Sequence, residues 1–258
     1  MEKTGGEEWD LSTGIQKTAA GRYPLLDTIR GATLVVMVAY HALWDAVNLG
    51  GWDLPWYDGW PGFLWQQAIC WSFILLSGFC ARLSRRPLRH AAKVFAAGVL
   101  VMAVTEIIMP EDAVRWGILT FLGLAAVVTW ALGPLLERVP PVWGAVCSGV
   151  LFAATRQIDE GVLLGMEVLP ESLYTTDALA VLGFPTPEFT STDYFSLLPW
   201  IFLFWAGWFL FPLWKDRPVL RLGRIRPLMW LGRRSLLLYL VHQPVLYGLM
   251  TAAEYLTK

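Results

Sequence analysis

Charge is scarce in this sequence. Asp, Glu, Lys and Arg make up 16% of its 258 residues, where an average soluble domain carries about 25%. Hydrophobic residues make up 56%, and the mean hydropathy is +0.49. A soluble core of this size cannot hide so much apolar surface, so a soluble globular class is excluded before any motif is read. A strong net charge is also lacking. The value of -1 provides no electrostatic footprint for nucleic acid. Only three cysteines occur, Cys70, Cys80 and Cys147, all in apolar runs and none in a C-x-x-C pair. Cys70 and Cys80 lie ten residues apart on one expected helix, or about 15 Å along its axis, too far to bridge. All three read as small packing residues. No metal-ligand spacing is visible. The first 22 residues, MEKTGGEEWDLSTGIQKTAAGR, are polar and acidic and lack the apolar run of a signal peptide. They read as a loose cytoplasmic tail, and 23–258 reads as one transmembrane domain.

What the chain has is a series of apolar segments long enough to cross about 30 Å of hydrocarbon. They fall near 24–47, 62–83, 91–110, 116–136, 141–157, 194–214 and 234–253. The fold class expected is therefore all-α, a polytopic transmembrane bundle of about seven spans, with 141–157 the shortest. An eighth at 158–184 is broken by Asp159, Glu160, Glu167, Pro170, Glu171 and Asp177, so 158–193 reads as an acidic outer loop. Many of the 15 tryptophans sit near expected helix ends, among them Trp44, Trp56, Trp60, Trp116, Trp200 and Trp214, as an interfacial belt requires. Basic residues set the orientation. With the N-terminus cytoplasmic, sixteen Lys and Arg fall in inner segments against three in outer ones, Arg115, Arg156 and Lys258. The loop from Lys215 to Arg234 alone holds seven. Membrane lipids are the expected surroundings, and anionic headgroups suit the basic loops.

The first span, YPLLDTIRGATLVVMVAYHALWDAV, carries four ionisable residues, Asp27, Arg30, His41 and Asp45. Arg30 and His41 are eleven positions apart, which returns them to within about 20° on a helix and separates them by about 16 Å along its axis. Asp27 and Asp45 flank them on nearly the same face. Charged groups at membrane depth are costly and usually mark a substrate or proton path. The plainer reading, an Asp27–Arg30 ion pair at the interface, leaves the deeper His41 without a reason. In the last span, LGRRSLLLYLVHQPVLYGLM, His242 precedes Gln243 and Pro244, and the proline frees a backbone carbonyl beside it. A hydrogen-bonded packing role for His242 is the alternative. His90, in the basic second loop, reads as solvated. Glu106 and Asp193 fall at outer helix ends.

The segment RYPLLDTIRGATLVVMVAYHALWD resembles the opening of bacterial members of the heparan-alpha-glucosaminide N-acetyltransferase catalytic-domain family. It is also similar to the membrane acyltransferases that modify cell-surface sugars, which begin with D-x-x-R-G and a His eleven positions after the Arg. FILLSGFCARL, VRWGILTFLG, TDYFSLLPWIFLFWAGW and LGRRSLLLYLVHQPVL resemble later blocks in the same order, so the likeness covers about residues 22–250. It implies a multi-pass acyltransferase of the cell membrane, in a bacterium the inner membrane. The donor implied is a CoA thioester, acetyl-CoA, docking from the cytoplasm. The acceptor implied is a hydroxyl or amino group of a glycan on the outer face. It implies Arg30 and His41 as the paired motif and His242 as the histidine of the final block. Chemistry independently suits these residues: His as the base or acyl-accepting group, with Asp45 one turn on to accept from its ring. Asp27, Arg30, Arg233 and Arg234 are expected on the donor's phosphate side. A proton-coupled transporter or flippase using Asp27, Arg30 and His41 is the rival expectation.

Overall fold

In the computed structural model, residues 23–257 are described, with side chains through Ala252, together with a short antiparallel pairing of β1 (Trp9–Asp10) and β2 (Ile15–Gln16). The expected tail at 1–22 otherwise lies outside the described residues. Eight α-helices follow: α1 (Pro24–Asn48), α2 (Trp60–Ala81), α3 (Pro87–Ile108), α4 (Ile118–Leu136), α5 (Pro141–Ala154), α6 (Trp200–Trp214), α7 (Arg226–Arg233) and α8 (Ser235–Thr257). Five begin with proline at the first or second position (α1, α2, α3, α5 and α7), where its missing N–H has no helical partner to lose.

Among the described residues, α2, α3, α4 and Ser235–Ala252 of α8 are long and apolar enough to cross a membrane. This is a membrane protein, mostly helical. The other expected spans differ from these four for physical reasons. Helix α1 has the length, 25 residues, but carries Asp27, Arg30, His41 and Asp45. Helix α6 is strongly apolar but only 15 residues long, and α5 has 14, about 21 Å of helix. No long helix forms over 158–184. That stretch folds into short 3-10 turns and a two-residue hairpin, β3 (Val162–Leu163) with β4 (Met166–Glu167).

Small residues set the close crossings. Helices α1 and α2 run antiparallel, with Arg30 beside Cys80 and Tyr40 against Trp65. Helices α2 and α6 run parallel, with Cys70 and Trp200 in one cluster and Phe79 against Phe211 further along. A Cβ on Gly78 would meet the Phe204 carbonyl, and one on Gly207 the Leu75 carbonyl, at about 2 Å. The core of Ile74, Phe121, Phe204 and Ile201 lies along this seam. Helices α3 and α4 form a hairpin closed at Gly98 and Gly123.

The expected span 234–253 coincides with the apolar stretch Ser235–Ala252, and a short helix, α7, precedes it. Helix α7 ends at Arg234 (φ −109°, ψ 16°), and α8 starts one residue later. The two helices follow α1 in the same direction, since Gly223 approaches Leu25, Gln243 meets Asp45 and Met250 approaches Gly50. Arg233 and Arg234 therefore lie at the break between α7 and α8, just before the apolar stretch Ser235–Ala252.

At Gly31 a Cβ would sit 1.9 Å from the Leu228 carbonyl oxygen, and at Gly232 2.0 Å from that of Asp27. Backbone cannot move aside as a flexible side chain does. Gly31→Ala should therefore cost about 1–3 kcal/mol by overpacking. Gly248→Ala, where nothing lies within 4 Å, should be neutral or stabilising by up to about 1 kcal/mol. Thermal melts of the two variants in one detergent check this, and equal melting temperatures would contradict it.

Candidate active site

A cavity of about 1200 Å³ opens between α2, the α3–α4 hairpin and the α7–α8 break. It follows α4 from Glu137 to Ile118, about 28 Å at 1.5 Å per residue. One end is basic: Arg30, Arg82, Arg233 and Arg234 line it, with Ser84 and His90. The other end is apolar, bounded by Phe73, Ile118, Leu119 and Leu122 together with Tyr239.

The arginines are held in place from behind. Asp27 bridges two of them, at 3.6 Å from Arg30 Nη1 and 3.2 Å from Arg233 Nε. Arg30 Nη2 also lies 3.1 Å from Cys80 Sγ. Arg82 pairs with Glu137 at 3.3 Å and stacks over Trp208 at 3.9 Å, while Arg234 stacks over Trp230 at 4.4 Å. Anchored guanidinium groups around a mouth suit a polyphosphate. The plainer ion pair of Asp27 and Arg30 is thus present, but as one part of a larger basic rim. Cys80, expected as packing, lines the cavity and touches Arg30. All three cysteines are free. His90 is exposed, as expected, yet faces the cavity.

The two expected catalytic histidines come together. The His41 and His242 rings are 4.9 Å apart, and His41 also packs edge-on against Tyr40 at 5.9 Å. His242 Nδ1 lies 2.6 Å from the Tyr239 carbonyl oxygen. A carbonyl only accepts, so Nδ1 carries the hydrogen, and in the neutral ring Nε2 is the basic nitrogen. Asp45 is fully buried. The hydrogen bond expected between it and His41 is replaced by one to Gln243, whose Nε2 donates to Asp45 Oδ1 at 2.7 Å. The cause is geometric: α8 brings Gln243 across to Asp45, while His41 turns to His242.

Among the described residues, three buried atoms have no hydrogen-bond partner: Asp45 Oδ2, Gln243 Oε1 and His242 Nε2. Gln243 Oε1 and His242 Nε2 are acceptors, given the donors just assigned, and Asp45 Oδ2 is one when its carboxyl is ionised. Buried polar groups are normally paired, so this cluster is built to receive hydrogen-bond donors.

Residues that sequence reasoning missed join the two halves. Tyr239 lines the apolar end of the cavity and packs 5.4 Å from the His242 ring. Its hydroxyl lies 3.4 Å from Asp193 Oδ2. Asp193, expected only at a helix mouth, also accepts from the Ile118 N–H at the start of α4, at 3.1 Å. Burial pushes its carboxyl above the usual range, against the pull of these two donors. One signal was available: Tyr239 is three residues before His242 and so shares its face. Glu106, also placed at an outer end, pairs with Arg115 at 2.7 Å and has no part in the site.

A family model described as "Heparan-alpha-glucosaminide N-acetyltransferase, catalytic" matches residues 22–244. No curated protein and no solved structure matches the chain.

Proposed function

The chain belongs to the heparan-alpha-glucosaminide N-acetyltransferase catalytic family, and from that premise we propose that it moves an acetyl group from cytosolic acetyl-CoA to an amino or hydroxyl group of an extracytoplasmic glycan. One observation carries the reading. A basic-rimmed cavity ends at Tyr239, and Tyr239 abuts a half-buried histidine pair. The rim of Arg30, Arg82, Arg233 and Arg234 suits the donor's phosphates. The apolar shaft suits its pantetheine arm and the acetyl group. His41 acts as general base or acyl-accepting residue, beside His242 and its basic Nε2. The three unpartnered atoms at Asp45, Gln243 and His242 suit an acceptor rich in donors. An amine supplies two or three hydrogens on one atom and a hydroxyl one, so the cluster favours an amine.

The bundle spans the membrane about seven times, with its basic end cytoplasmic. Reporter fusions after residues 90 and 225 should read cytoplasmic and one after 175 external. Purified protein should melt higher with CoA or acetyl-CoA, by the equivalent of about 2.7 kcal/mol at a hundredfold excess over Kd, and should pass label from acetyl-CoA to an amino-sugar glycan. A protein that does neither would return weight to the transporter and non-catalytic scaffold readings.

A further inference from the structure

We propose that the Tyr239 hydroxyl is the hydrogen-bond donor to the thioester carbonyl oxygen of the acyl donor; this rests on the acyl-transfer reading above. Acyl transfer moves a pair of electrons onto that oxygen. The acceptor's lone pair, or that of the His41 nitrogen, attacks the thioester carbon, and the carbonyl π pair passes to oxygen. The pair then returns, the C–S bond breaks, and the CoA thiolate leaves and takes up the proton lost by the nucleophile. Nothing is oxidised or reduced. The step needs a donor aimed at the oxygen from a dry wall, where such a hydrogen bond is worth most.

Tyr239 is placed for this. The walls around it, Phe73, Ile118, Leu119 and Leu122, are apolar, so at that end its hydroxyl is a proton donor set among apolar side chains, with Ser77 one turn along α2 from Phe73. A donor whose phosphates rest at the arginine rim presents its far end here. The histidine pair begins on the other side of the same residue. The main-chain oxygen of Tyr239 accepts from His242 Nδ1 at 2.6 Å, which leaves Nε2 as the basic nitrogen of the ring that packs on His41. One residue thus orients the partner of His41 through its carbonyl and meets the electrophile through its phenol. The hydroxyl is also available. Its contact with Asp193 Oδ2, at 3.4 Å, is long for an O–H···O bond, whose usual length is about 2.7–2.8 Å. It gives up little by turning to a carbonyl oxygen, while Asp193, tied to the Ile118 N–H, keeps the ring from swinging away. The plainer role is that of a staple between α8 and α4 through Asp193.

The test uses the full chain in nanodiscs. Tyr239→Phe keeps the ring and the carbonyl that orients His242. Its kcat should fall about 10²–10³-fold, with melting temperature and CoA-induced stabilisation unchanged. With 3-fluorotyrosine at position 239, the ¹⁹F resonance should move when acetyl-CoA replaces CoA, a reading that needs no turnover. Wild-type kcat in Tyr239→Phe would overturn the proposal. So would a resonance indifferent to the acetyl group, or a variant that loses melting temperature and donor binding together, the mark of a staple. A wild-type protein that neither binds CoA nor transfers label would bring down the acyl-transfer reading and this role with it. Active wild type beside an equally active Tyr239→Phe sinks this role alone.

Discussion

His41→Gln should leave a folded protein that binds CoA and transfers almost nothing. The loss expected in single-turnover transfer from labelled acetyl-CoA is about 10²–10⁴-fold, the usual effect of removing a general base. Gln keeps much of the size and polarity of His, so the packing against Tyr40 and His242 is largely retained. What disappears is the titratable, nucleophilic nitrogen. Matched melting temperatures separate this from misfolding. His242→Ala should impair turnover as well, because it removes Nε2 and leaves the Tyr239 carbonyl without its ring partner. Wild-type transfer by His41→Gln would make His41 a packing residue and return weight to the transporter reading.

Arg30→Ala should weaken donor binding by roughly 10–100-fold, as loss of a charge-assisted hydrogen bond worth about 1.5–3 kcal/mol implies. Arg30 lines the cavity's basic end, where Asp27 and Cys80 fix its direction. Its removal also leaves Asp27 with Arg233 alone of the two arginines, so a modest loss of stability accompanies the loss of affinity. Arg30→Lys should recover only part of the binding, because an ammonium lacks the planar fork that meets both Asp27 and a phosphate. Titration of CoA against each variant, by thermal shift, reads this directly. An unchanged CoA affinity in Arg30→Ala would take the phosphate role away from this residue.

The sequence was most readable where one helix contains the whole signal. The eleven-residue spacing of Arg30 and His41 lies within α1, and Asp27 and Asp45 are visible beside it. Long apolar runs likewise marked α2, α3 and α4, because hydropathy reports on each helix alone. Partnerships between helices were less readable. Asp45 bonds to Gln243 and not His41 because α8 runs alongside α1 in register, and no local pattern states that register. Tyr239 reads as an ordinary residue of an apolar span until α4 and the Asp193 loop are packed against it. The break at Arg234 was hidden for a related reason. The basic residues Arg226, Arg233 and Arg234 look like loop charges by count, yet their positions alternate with Leu228, Met229 and Leu231, and α7 buries Met229 and Gly232 against α1. Helix α5 is shorter than the 141–157 expected, since it ends at Ala154 and the polar Thr155, Arg156 and Gln157 follow in a turn.

The α3–α4 hairpin packs extensively on itself and lightly on everything else. Helices α1 and α7, and α2 and α6, are keyed in pairs where glycine lets backbone meet backbone, and α1 packs on α2 to join the pairs. The two walls of the cavity therefore differ in stiffness. One is a frame whose contacts break together or not at all, because close-packed interfaces do not deform continuously. The other is a leaf hung from it at few points, among them the Asp193 side chain at the start of α4. A molecule entering from the basic end works against the leaf, not the frame. The width of the shaft is thus the compliant dimension of this protein, and its depth, fixed by the frame, is the rigid one.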